Sequence, residues 1–590
     1  MIIVYDFKIP ANDAEKPEKD EYLFTGYFTG YLKKYASDKS WPFLKSGLSF
    51  DVKILKKSVD LRQKEQKRVF KALIKLNTAG VKEDDFINLL NKIGVKAKKA
   101  DNEEESSFNL FNGEDAIIPA PGGVKNKNIA KPGKYKALIV GMGPAGIFAA
   151  LYLLENGIKP ILIEKGKRVE DRIKDVARLM NEGKFDKKSN VAFGEGGAGT
   201  FSDGKLTTRK NDAAVSYVLN FLVKMGADKN ILTEHKPHLG SDILINILKE
   251  IRNHLIKNEA EIYFEEEMKD LEVDENGTVC SAKTDKRIFK TDFVILASGS
   301  NSYGTYELLE RKGAVMERKP FAVGFRIEHK RDFTDGLFFK GNTGKEGVKL
   351  KGVYYNISSK EYGGYSFCMC PGGVVVNSSS DENLLCVNGM SYSGRDMENS
   401  NSAIVAAVRP EMLDGIDPDR YYSGTGALRF RKDLEFKAYE AGGGNFAAPY
   451  QYTPDYIKDV YNAAAAGAVP NFKSDTRAAG LPAPSYKPSV KYFNLFKLLP
   501  DFLNLSIAGS LAEFESKFKG FAAKSVLTGL ETGTSSAVRI KRNSDYESIS
   551  LKGLYPCGEG SGYSGGIITS AIDGIRCAEA VIKKIIVKEG

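Results

Sequence analysis

The chain has 590 residues, a length that exceeds what one hydrophobic core organises and therefore excludes a single small domain. Charged residues make up 27% and hydrophobic residues 42%, as in ordinary soluble globular proteins. No apolar run approaches the ~18 residues that span a bilayer, and the first residues lack the basic region of a signal peptide. The six cysteines are few for this length, so we expect a cytoplasmic protein without a membrane partner.

Residues 1–100 mix short apolar runs with basic stretches and are predicted to form a small basic α/β domain. "VFKALIKL" (69–76) and "DDFINLLNKIGV" (84–95) have the spacing of amphipathic helices. Residues 53–75 carry nine basic residues against two acidic ones. A run of this kind is a solvated basic helix face, or it docks RNA or an acidic protein. Residues 101–133 turn acidic and then rich in proline and glycine, as in a linker between domains.

A nucleotide-binding unit follows, in "YKALIVGMGPAGIFAALYLLENGIKPILIEKG" (135–166). A buried strand, a glycine turn, a helix and a second strand succeed one another within about 30 residues. Gly141 allows a tight turn, Gly143 leaves room for a pyrophosphate, and Gly146 lets the helix pack closely on the strand. The helix N-terminus then offers N–H groups and a positive dipole end to phosphates.

The identity of the nucleotide depends on residues outside this unit. Glu164 follows Gly146 by 18 residues, where a carboxylate accepts ribose hydroxyls and repels the 2′-phosphate of NADP. FAD is favoured over NAD by a hairpin block that leads into "VILASGS", by the glycine-rich loop "FGEGGAGTFSDGKLTTR" (193–209), and by "GLYPCGEGSGYSGGIITSAIDG" (553–574). In the last segment Glu559 is placed to bind ribityl hydroxyls, and a helix opens at Gly565 and Gly566 towards the flavin ring.

These patterns define the predicted domains and cofactor contacts. Residues 134–300 and 545–590 are assigned to a Rossmann-like FAD-binding domain, and residues 301–544 to an inserted α+β substrate domain. A second complete fingerprint is missing from the sequence, so NAD(P)H is carried only as a candidate electron donor without its own Rossmann domain. The predicted FAD contacts are Gly141, Gly143, Pro144, Ala145, Gly146, Glu164, Lys165, Arg172, Gly196, Gly197, Thr200, Asp203, Gly204, Gly299, Gly558, Glu559, Gly565, Gly566 and Ile567.

From about Tyr135 onward the chain resembles a family of bacterial FAD-dependent dehydrogenase-like flavoproteins. The resemblance lies in "AFGEGGAGTFSDGKLTTR", "HKPHLGSD", "FAVGFRIEH", "YSFCMCPGG", "VNGMSYSGRDMENSNSA", "YEAGGGNFAAP" and "LYPCGEGSGYSGGIITSAIDG". It implies FAD, a two-dinucleotide-domain flavoprotein fold of the glutathione-reductase type, and a mixed α/β catalytic domain, but no substrate. One departure is "ETGTSSAVRI" (531–540), with Gly533 and Ala537 where the resemblance leads us to expect arginine and proline.

Cys368 and Cys370 are candidate reactive groups in "YSFCMCPGG". In an extended strand both side chains point to the same face and diverge, so a disulfide between them is strained. Pocket lining beside the flavin or plain strand packing are the expected alternatives.

His235 and His238 lack a third ligand nearby in the sequence, so we predict no metal site and consider a substrate or phosphate contact instead. His329 is either a proton donor near the flavin or a surface histidine at the end of a strand. The polar loop 387–403, with Asn388 and Arg395, is a candidate site for a substrate or an anion.

Three functions remain at this stage. The first is an FAD-dependent oxidoreductase that passes hydride between a small, anionic or neutral substrate and flavin N5. The second is a flavoprotein that modifies RNA and binds it through the basic N-terminal domain. The third is a flavin-bearing sensor or binding protein without catalysis.

Overall fold

A computed structural model describes residues 1–10, 20–34, 48–60, 67–78, 81–101, 134–208, 212–338, 352–463 and 480–589. The fold is mixed α/β, as predicted. Two compact units make up the chain: unit 1 contains Met1–Pro121, Asn211–His238 and Phe339–Leu350, and unit 2 contains Gly122–Lys210, Leu239–Phe338 and Lys351–Gly590. The predicted linker lies outside the described residues except for Asp101.

The described helices, in chain order, are α1 Asp20–Lys33, α2 Glu83–Lys92, α3 Pro144–Glu155, α4 Val169–Glu182, α5 Ala213–Lys224, α6 Ser241–Lys257, α7 Tyr303–Arg311, α8 Arg331–Phe338, α9 Pro410–Asp414, α10 Pro418–Tyr421, α11 Gly426–Gly442, α12 Thr453–Ala463, α13 Asp501–Lys517 and α14 Ile567–Glu589. Short 3-10 turns cover Gly197–Phe201, Lys229–Leu232 and Leu495–Leu498. The described strands are β1 Ile2–Pro10, β2 Phe50–Asp60, β3 Lys67–Leu76, β4 Lys96–Lys99, β5 Ala137–Val140, β6 Pro160–Glu164, β7 Glu261–Phe264, β8 Met268–Val273, β9 Val279–Thr284, β10 Ile288–Lys290, β11 Phe293–Leu296, β12 Met316–Arg318, β13 Phe321–Lys330, β14 Tyr365–Cys370, β15 Val374–Asn377, β16 Val387–Met390, β17 Asn399–Val408, β18 Ala448–Tyr452, β19 Val490–Tyr492, β20 Val526–Glu531, β21 Val538–Ile540 and β22 Leu554–Pro556.

Unit 1 contains a ferredoxin-like βαββαβ arrangement. Its described strands form an antiparallel sheet in the order β2-β3-β1-β4. The helix predicted over 84–95 is confirmed as α2, which buries Phe86, Leu89 and Leu90. The helix predicted over 69–76 is wrong, because this segment is strand β3. Its apolar residues Phe70 and Ala72 recur at the period of two that buries one face of a strand.

The basic run 53–75 therefore lies on the hairpin formed by β2 and β3, and its interpretation as a helix face is wrong. Residues 61–66, in the middle of the run, are outside the described part. Two of its basic side chains are paired inside unit 1: Lys57 Nζ and Arg68 Nη1 lie 2.8 and 3.0 Å from the carboxylate oxygens of Asp20. Burial lowers the pKa of a third, Lys53, to about 8, although Glu21 counteracts this shift.

In unit 2, the predicted strand–turn–helix–strand unit is confirmed as β5, α3 and β6. These strands belong to a five-stranded parallel sheet in the order β22-β11-β5-β6-β7. Strand β22, close to the end of the chain, pairs with β11, so the C-terminal segment returns to the sheet that starts at β5. Helix α14 then packs tightly on α3. Gly574 permits this contact, since a Cβ at its position would lie 2.1 Å from Ala145 O.

The hairpin chemistry predicted before "VILASGS" is confirmed as the antiparallel meander β8-β9-β10. A second, six-stranded sheet follows in the order β14-β17-β13-β20-β18-β19. Strand β13 forms its centre and pairs with β17 from Phe321↔Val408 to Lys330↔Asn399. None of the described helices is long and apolar enough to cross a membrane.

Candidate functional site

The glycine turn between β5 and α3 has the close contacts that its fingerprint requires. Gly141 has φ +103°, and a Cβ on it would lie 2.4 Å from the carbonyl oxygen of Ala297. A Cβ on Gly146 would lie 2.0 Å from the carbonyl oxygen of Gly141. Helix α3 begins at Pro144, and its N-cap Gly143 provides no side-chain cap. The N-terminus of α3 is therefore available to an anion.

Glu164, at the end of β6, is 5% exposed and connects three backbone segments. Met142 N–H donates to its Oε2 at 2.8 Å, and the N–H groups of Gly166 and Gly194 donate to Oε1 at 2.9 and 3.0 Å. The carboxylate thus holds the glycine-rich loop 193–204 beside the turn at 141–146. The ribose contact of Glu164 stays a prediction, while its positioning role is visible in the structure.

The loop 193–204 is shaped from inside by Arg172, which has no exposed surface. All five N–H groups of this guanidinium are directed at the loop region: the acceptors are Asn190 O at 2.8 Å, Glu195 O at 2.7 Å, Thr200 Oγ1 at 3.2 Å, Val191 O at 2.9 Å and Gly197 O at 2.9 Å. Arg172 and Thr200, both predicted FAD contacts, therefore act first as positioning residues for the loop.

Other predicted contacts border the same loop. Gly196 N–H donates to Met142 O at 2.8 Å. A Cβ on Gly197 would lie 3.2 Å from Gly143 Cα, so the loop closely approaches the turn. Lys165 lies over the Phe193 ring at 4.0 Å, and Gly204 has φ +66°. The structure brings these predicted residues together along one path.

The C-terminal segment approaches this path from β22. A Cβ on Gly558 would lie 2.8 Å from Ala145 Cβ. Ser300 Oγ, just after Gly299, donates to Glu559 Oε1 at 3.0 Å, and burial raises the pKa of this carboxyl. Helix α14 begins at Ile567, directly after the exposed Gly565 and Gly566.

These residues fit an extended dinucleotide. A Cβ on Gly299, Gly565 or Gly566 would meet no heavy atom within 4 Å, so glycines from two separate segments border open space. Close-packed glycines in the turn and the uncapped N-terminus of α3 provide the contacts that a pyrophosphate needs.

A second group of polar residues, here called the thiol cluster, lies in unit 2 at the end of β14. It comprises Asp203, Lys205, Arg326, Cys368, Cys370 and Glu531. Lys205 Nζ lies 3.8 Å from Cys368 Sγ and 3.3 Å from Asp203 Oδ2, and it donates to Met369 O. Sequence reasoning selected Asp203, Cys368 and Cys370 but missed the lysine.

The two cysteines are not arranged as the sequence predicted. The pairing of β14 with β17 shifts register between Phe367 and Cys370, and Cys368 has φ +45°. Such a bulge turns side chains away from strict alternation. Cys370 Sγ lies 3.4 Å from Cys368 O, and the two thiols are close enough for each to shift the pKa of the other. The expectation that the two thiols diverge is therefore wrong.

The electrostatics of the cluster distinguish the two thiols. The Cys370 thiol, Lys205 and Arg326 hold the pKa of Cys368 well below its usual value, in spite of burial. Donation to Cys368, together with burial, raises the pKa of Cys370 well above its usual value. Cys368 is partly exposed, whereas Cys370 has no exposed surface. Cys368 is thus the more exposed residue of the pair and the one whose thiolate form is favoured.

Arg326, which the sequence reasoning did not select, supports the cluster from β13. Its guanidinium pairs with Glu531 and donates to Cys368 O at 2.8 Å and to Asn388 Oδ1 at 2.7 Å. Burial raises the pKa of Glu531 to about 7, although Arg326 counteracts the shift. The sequence signal for Arg326 was a charged residue within the apolar run "FAVGFRIEH". An arginine buried in such a strand needs hydrogen-bonding or charged partners.

The predicted polar loop 387–403 contributes Asn388 and Arg395. Arg395 has φ +50°, and its Cζ lies 4.8 Å from the centre of the Tyr354 ring. Lys205 Nζ lies 5.3 Å from the same ring centre. Arg395 Nε and Nη2 are buried atoms without a hydrogen-bond acceptor among the described residues. These two nitrogens are therefore available to donate to an anionic ligand.

His329 lies neither at the surface nor beside the thiol cluster. It is fully buried, Nε2 lies 2.6 Å from Phe521 O, and its ring stacks on Phe333. Burial lowers the pKa of His329 to about 4. The surface alternative is therefore wrong. The role of His329 as a proton donor near the flavin stays a prediction.

His235 and His238 belong to unit 1. His235 lines a cavity of about 1270 Å³ together with Tyr5, Tyr31, Lys34 and Lys96. Burial, then Lys56 and Lys236, lower the pKa of His235.

A buried network on α11 was also missed. Arg431 Nε donates to Glu435 Oε1 at 2.8 Å, and Nη2 donates to Asn301 Oδ1 at 2.6 Å. A Cβ on Gly533 would lie 3.4 Å from Arg431 Nη2. The guanidinium of Arg431 thus lies beside the position where the family resemblance led us to expect an arginine.

One described group has the residue types of a metal site: Cys557, Asp573 and Cys577, whose ligand atoms lie within 4.8 Å of one another. Arg542 already pairs with Asp573 at 2.7 and 3.0 Å. The guanidinium supplies the positive charge at this position.

Comparison with known proteins identifies the family. Residues 320–534 match the family "FAD-dependent protein, C-terminal domain-like". A protein of Clostridium beijerinckii, described only as uncharacterised, is 40% identical over 456 residues, which are 76% of this chain and 81% of that protein. The chain belongs to this family of bacterial FAD-dependent flavoproteins. The predicted family is confirmed, and FAD is the cofactor that membership assigns.

Solved structures to which this chain is similar include CtdE in complex with FAD, which is 11% identical at a TM-score of 0.29, with 77% of this chain and 88% of CtdE covered. Glycine oxidase from Bacillus cereus is 13% identical at a TM-score of 0.27, with 76% and 95% covered. Similarity at this level says nothing about the reaction of this flavoprotein.

Proposed function

We propose that this flavoprotein is an FAD-dependent oxidoreductase. The proposal is carried by one observation: Glu164 fixes the loop 193–204 beside the glycine turn at 141–146, next to segments that return from the C-terminal end of the chain. Bound FAD supplies two-electron chemistry, in which hydride passes between the substrate and flavin N5.

The residues of the glycine turn and the N-terminus of α3 would hold the pyrophosphate. Glu164 and Arg172 keep the turn and the loop in place. Glu559 would accept ribityl hydroxyls, and the N-terminus of α14 at Gly566 would stabilise negative charge. The return of β22 to the parallel sheet supports a two-dinucleotide-domain arrangement of the glutathione-reductase type.

The substrate is proposed to be a small anion. Arg395 offers two nitrogen atoms, Nε and Nη2, without acceptors in the described structure, and Lys205 places an ammonium near the same tyrosine ring. Cys368 would lie at the reacting end of this site. NAD(P)H remains the proposed electron donor, and the free state of all six cysteines supports the proposed cytoplasmic setting.

Flavin content tests the oxidoreductase proposal directly. The purified full-length protein is expected to be yellow, with absorbance near ~450 nm, and to release FAD on denaturation. A correctly folded protein without flavin would contradict the proposal. Anaerobic addition of NADH or NADPH then separates an enzyme from a sensor, because only an enzyme needs rapid bleaching of the flavin by a donor.

RNA binding through the β2–β3 hairpin is a separate proposal. It rests on the basic residues of the hairpin, among which Lys56 and Lys75 are exposed. Binding of labelled RNA is expected to weaken steeply with salt and to fall when the exposed Lys56 and Lys75 are both replaced by glutamate. An unchanged affinity in this variant would contradict the proposal; the double variant Lys583→Glu and Lys588→Glu, on α14, is the charge-matched control.

A further inference from the structure

We propose that Cys368 and Cys370 form a redox-active dithiol that reduces small disulfides carrying carboxylate groups. This names a substrate class for the proposed function, and only the return of electrons to the thiols rests on that function. The inference starts from the geometry of the thiol cluster.

The bulge in β14 makes the pair chemically competent. The register shift after Phe367 and the positive φ of Cys368 bring Cys370 Sγ to 3.4 Å from Cys368 O, and the two thiols, separated by one residue, are close enough to influence each other's charge. Gly389 leaves the space for this arrangement, because a Cβ there would lie 2.8 Å from Cys370 Sγ. The strain predicted for a regular strand does not apply to this bulged backbone.

The exposure of the two thiols assigns their roles. Cys368 is partly exposed and lies 3.8 Å from the Lys205 ammonium, as an attacking thiolate does. Cys370 is fully buried and can meet a substrate only through Cys368, as a resolving thiol does. Arg326 holds the backbone of Cys368 in place through its carbonyl at 2.8 Å.

The charges near the thiols select the disulfide. Arg395 and Lys205 both lie against the Tyr354 ring, with Cζ and Nζ at 4.8 and 5.3 Å from its centre. Arg395 Nε and Nη2 are buried without an acceptor among the described residues. A carboxylate on the substrate would satisfy these donors and keep the disulfide beside Cys368.

The exchange balances in two steps. The Cys368 thiolate attacks one sulfur of the substrate, a Cys368–substrate disulfide forms, and the first substrate thiolate leaves. Cys370 then gives its proton to a departing thiolate and attacks Cys368 Sγ, which releases the second thiolate. The protein disulfide regains two electrons and one proton, the equivalent of a hydride, which NAD(P)H supplies through FAD in the proposed function.

The first experiment treats the full-length protein with oxidised glutathione at pH 6.5, quenches with N-ethylmaleimide and maps the peptides by mass. We expect a Cys368–Cys370 disulfide, recognised by the loss of two hydrogens. Cys280 is exposed on β9, and its thiol donates to Glu272 O at 3.4 Å. Glutathione bound to Cys280 should therefore persist as a mixed disulfide. Cys370→Ser should trap glutathione on Cys368. A stable glutathione adduct on Cys368 in the unchanged protein, or no reaction there, would overturn the dithiol.

The lysine and the arginine are tested by rates. Lys205→Met should slow the attack by about 10-fold or more at pH 6.5, and Lys205→Arg should restore much of it. Oxidised glutathione should react about 10-fold faster than the cationic disulfide cystamine, and Arg395→Gln should remove this preference. Equal rates with the two disulfides would overturn the anionic class. Cys280→Ser should leave all of these rates unchanged.

The link to the cofactor has its own measurement. The oxidised pair should return to thiols when the bound flavin is photoreduced without oxygen, as shown by thiol trapping and mass. A pair that stays oxidised beside reduced flavin would overturn this link. A protein without flavin would contradict the proposed function. The glutathione exchange experiment would still test the redox-active dithiol in that case.

Discussion

Lys205 Nζ lies 3.8 Å from Cys368 Sγ, although 163 positions separate the two residues in the chain. The lysine belongs to the glycine-rich loop 193–209 that the sequence assigns to FAD, and the cysteine lies on the bulged strand β14 of the six-stranded sheet. Their contact therefore joins the predicted cofactor loop to a reactive thiol.

This contact predicts the pH dependence of alkylation. Since the pKa of Cys368 is lowered, its thiolate persists well below the ~8.5 of a free cysteine, and iodoacetamide should label it at neutral pH. Lys205→Met should move the midpoint of the labelling rate upward. Identical profiles for the two proteins would contradict the prediction. The other groups that act on the thiol or are affected by its charge are Cys370, Arg326, Asp203, Glu531 and Tyr354.

Glu164→Ala should release flavin and destabilise the fold. The replacement leaves three backbone N–H groups of Met142, Gly166 and Gly194 without an acceptor, at a cost of about 1–3 kcal/mol for each group that stays buried. FAD retention after gel filtration and the midpoint of urea unfolding measure both effects. Glu261→Gln, on an exposed residue of the neighbouring strand β7, is the control and should behave as the unchanged protein.

Gly565→Asp should weaken the binding of reduced FAD without disturbing the fold. A Cβ at this exposed position meets no heavy atom within 4 Å, so the side chain fits, but its charge offsets the positive end of α14. The flavin reduction potential should fall, and the melting temperature should not change. Gly336→Asp, at an equally open position on α8, is matched in charge. A fall of the same size in this control would show that the effect is not local.

His329 predicts a loss of stability in acid. Its pKa is about 4 in the folded protein and near ~6.5 when unfolded, so the unfolded state binds the proton first as the pH falls. The free energy of unfolding should decrease between pH 6.5 and 4, by up to about 3 kcal/mol, and this contribution should level off below pH 4. Urea unfolding of the protein and of His329→Gln gives the difference, in which the opposite contribution of Glu531 cancels. Parallel profiles would contradict the prediction.

The error over residues 69–76 has a physical cause. "VFKALIKL" satisfies a helical spacing as well as an alternating one, and pairing with β1 and β2 decides in favour of the strand. The same reason explains the cysteines: strict alternation predicts diverging thiols, whereas the register shift against β17 brings them together. Local pattern does not contain the partner strand that sets the register.

The sequence by itself determined the nucleotide unit, because all of its contacts form within a segment of about 30 residues. These contacts involve Gly141, Gly143, Gly146 and the end of β6. It also determined the family, through motifs that are specific residue by residue. Only the tertiary structure decided which distant charges meet. Arg326 with Glu531, Arg431 beside Gly533, and Lys205 with Cys368 arise from sheet pairing and burial, since a buried charge finds its partner in space and not along the chain.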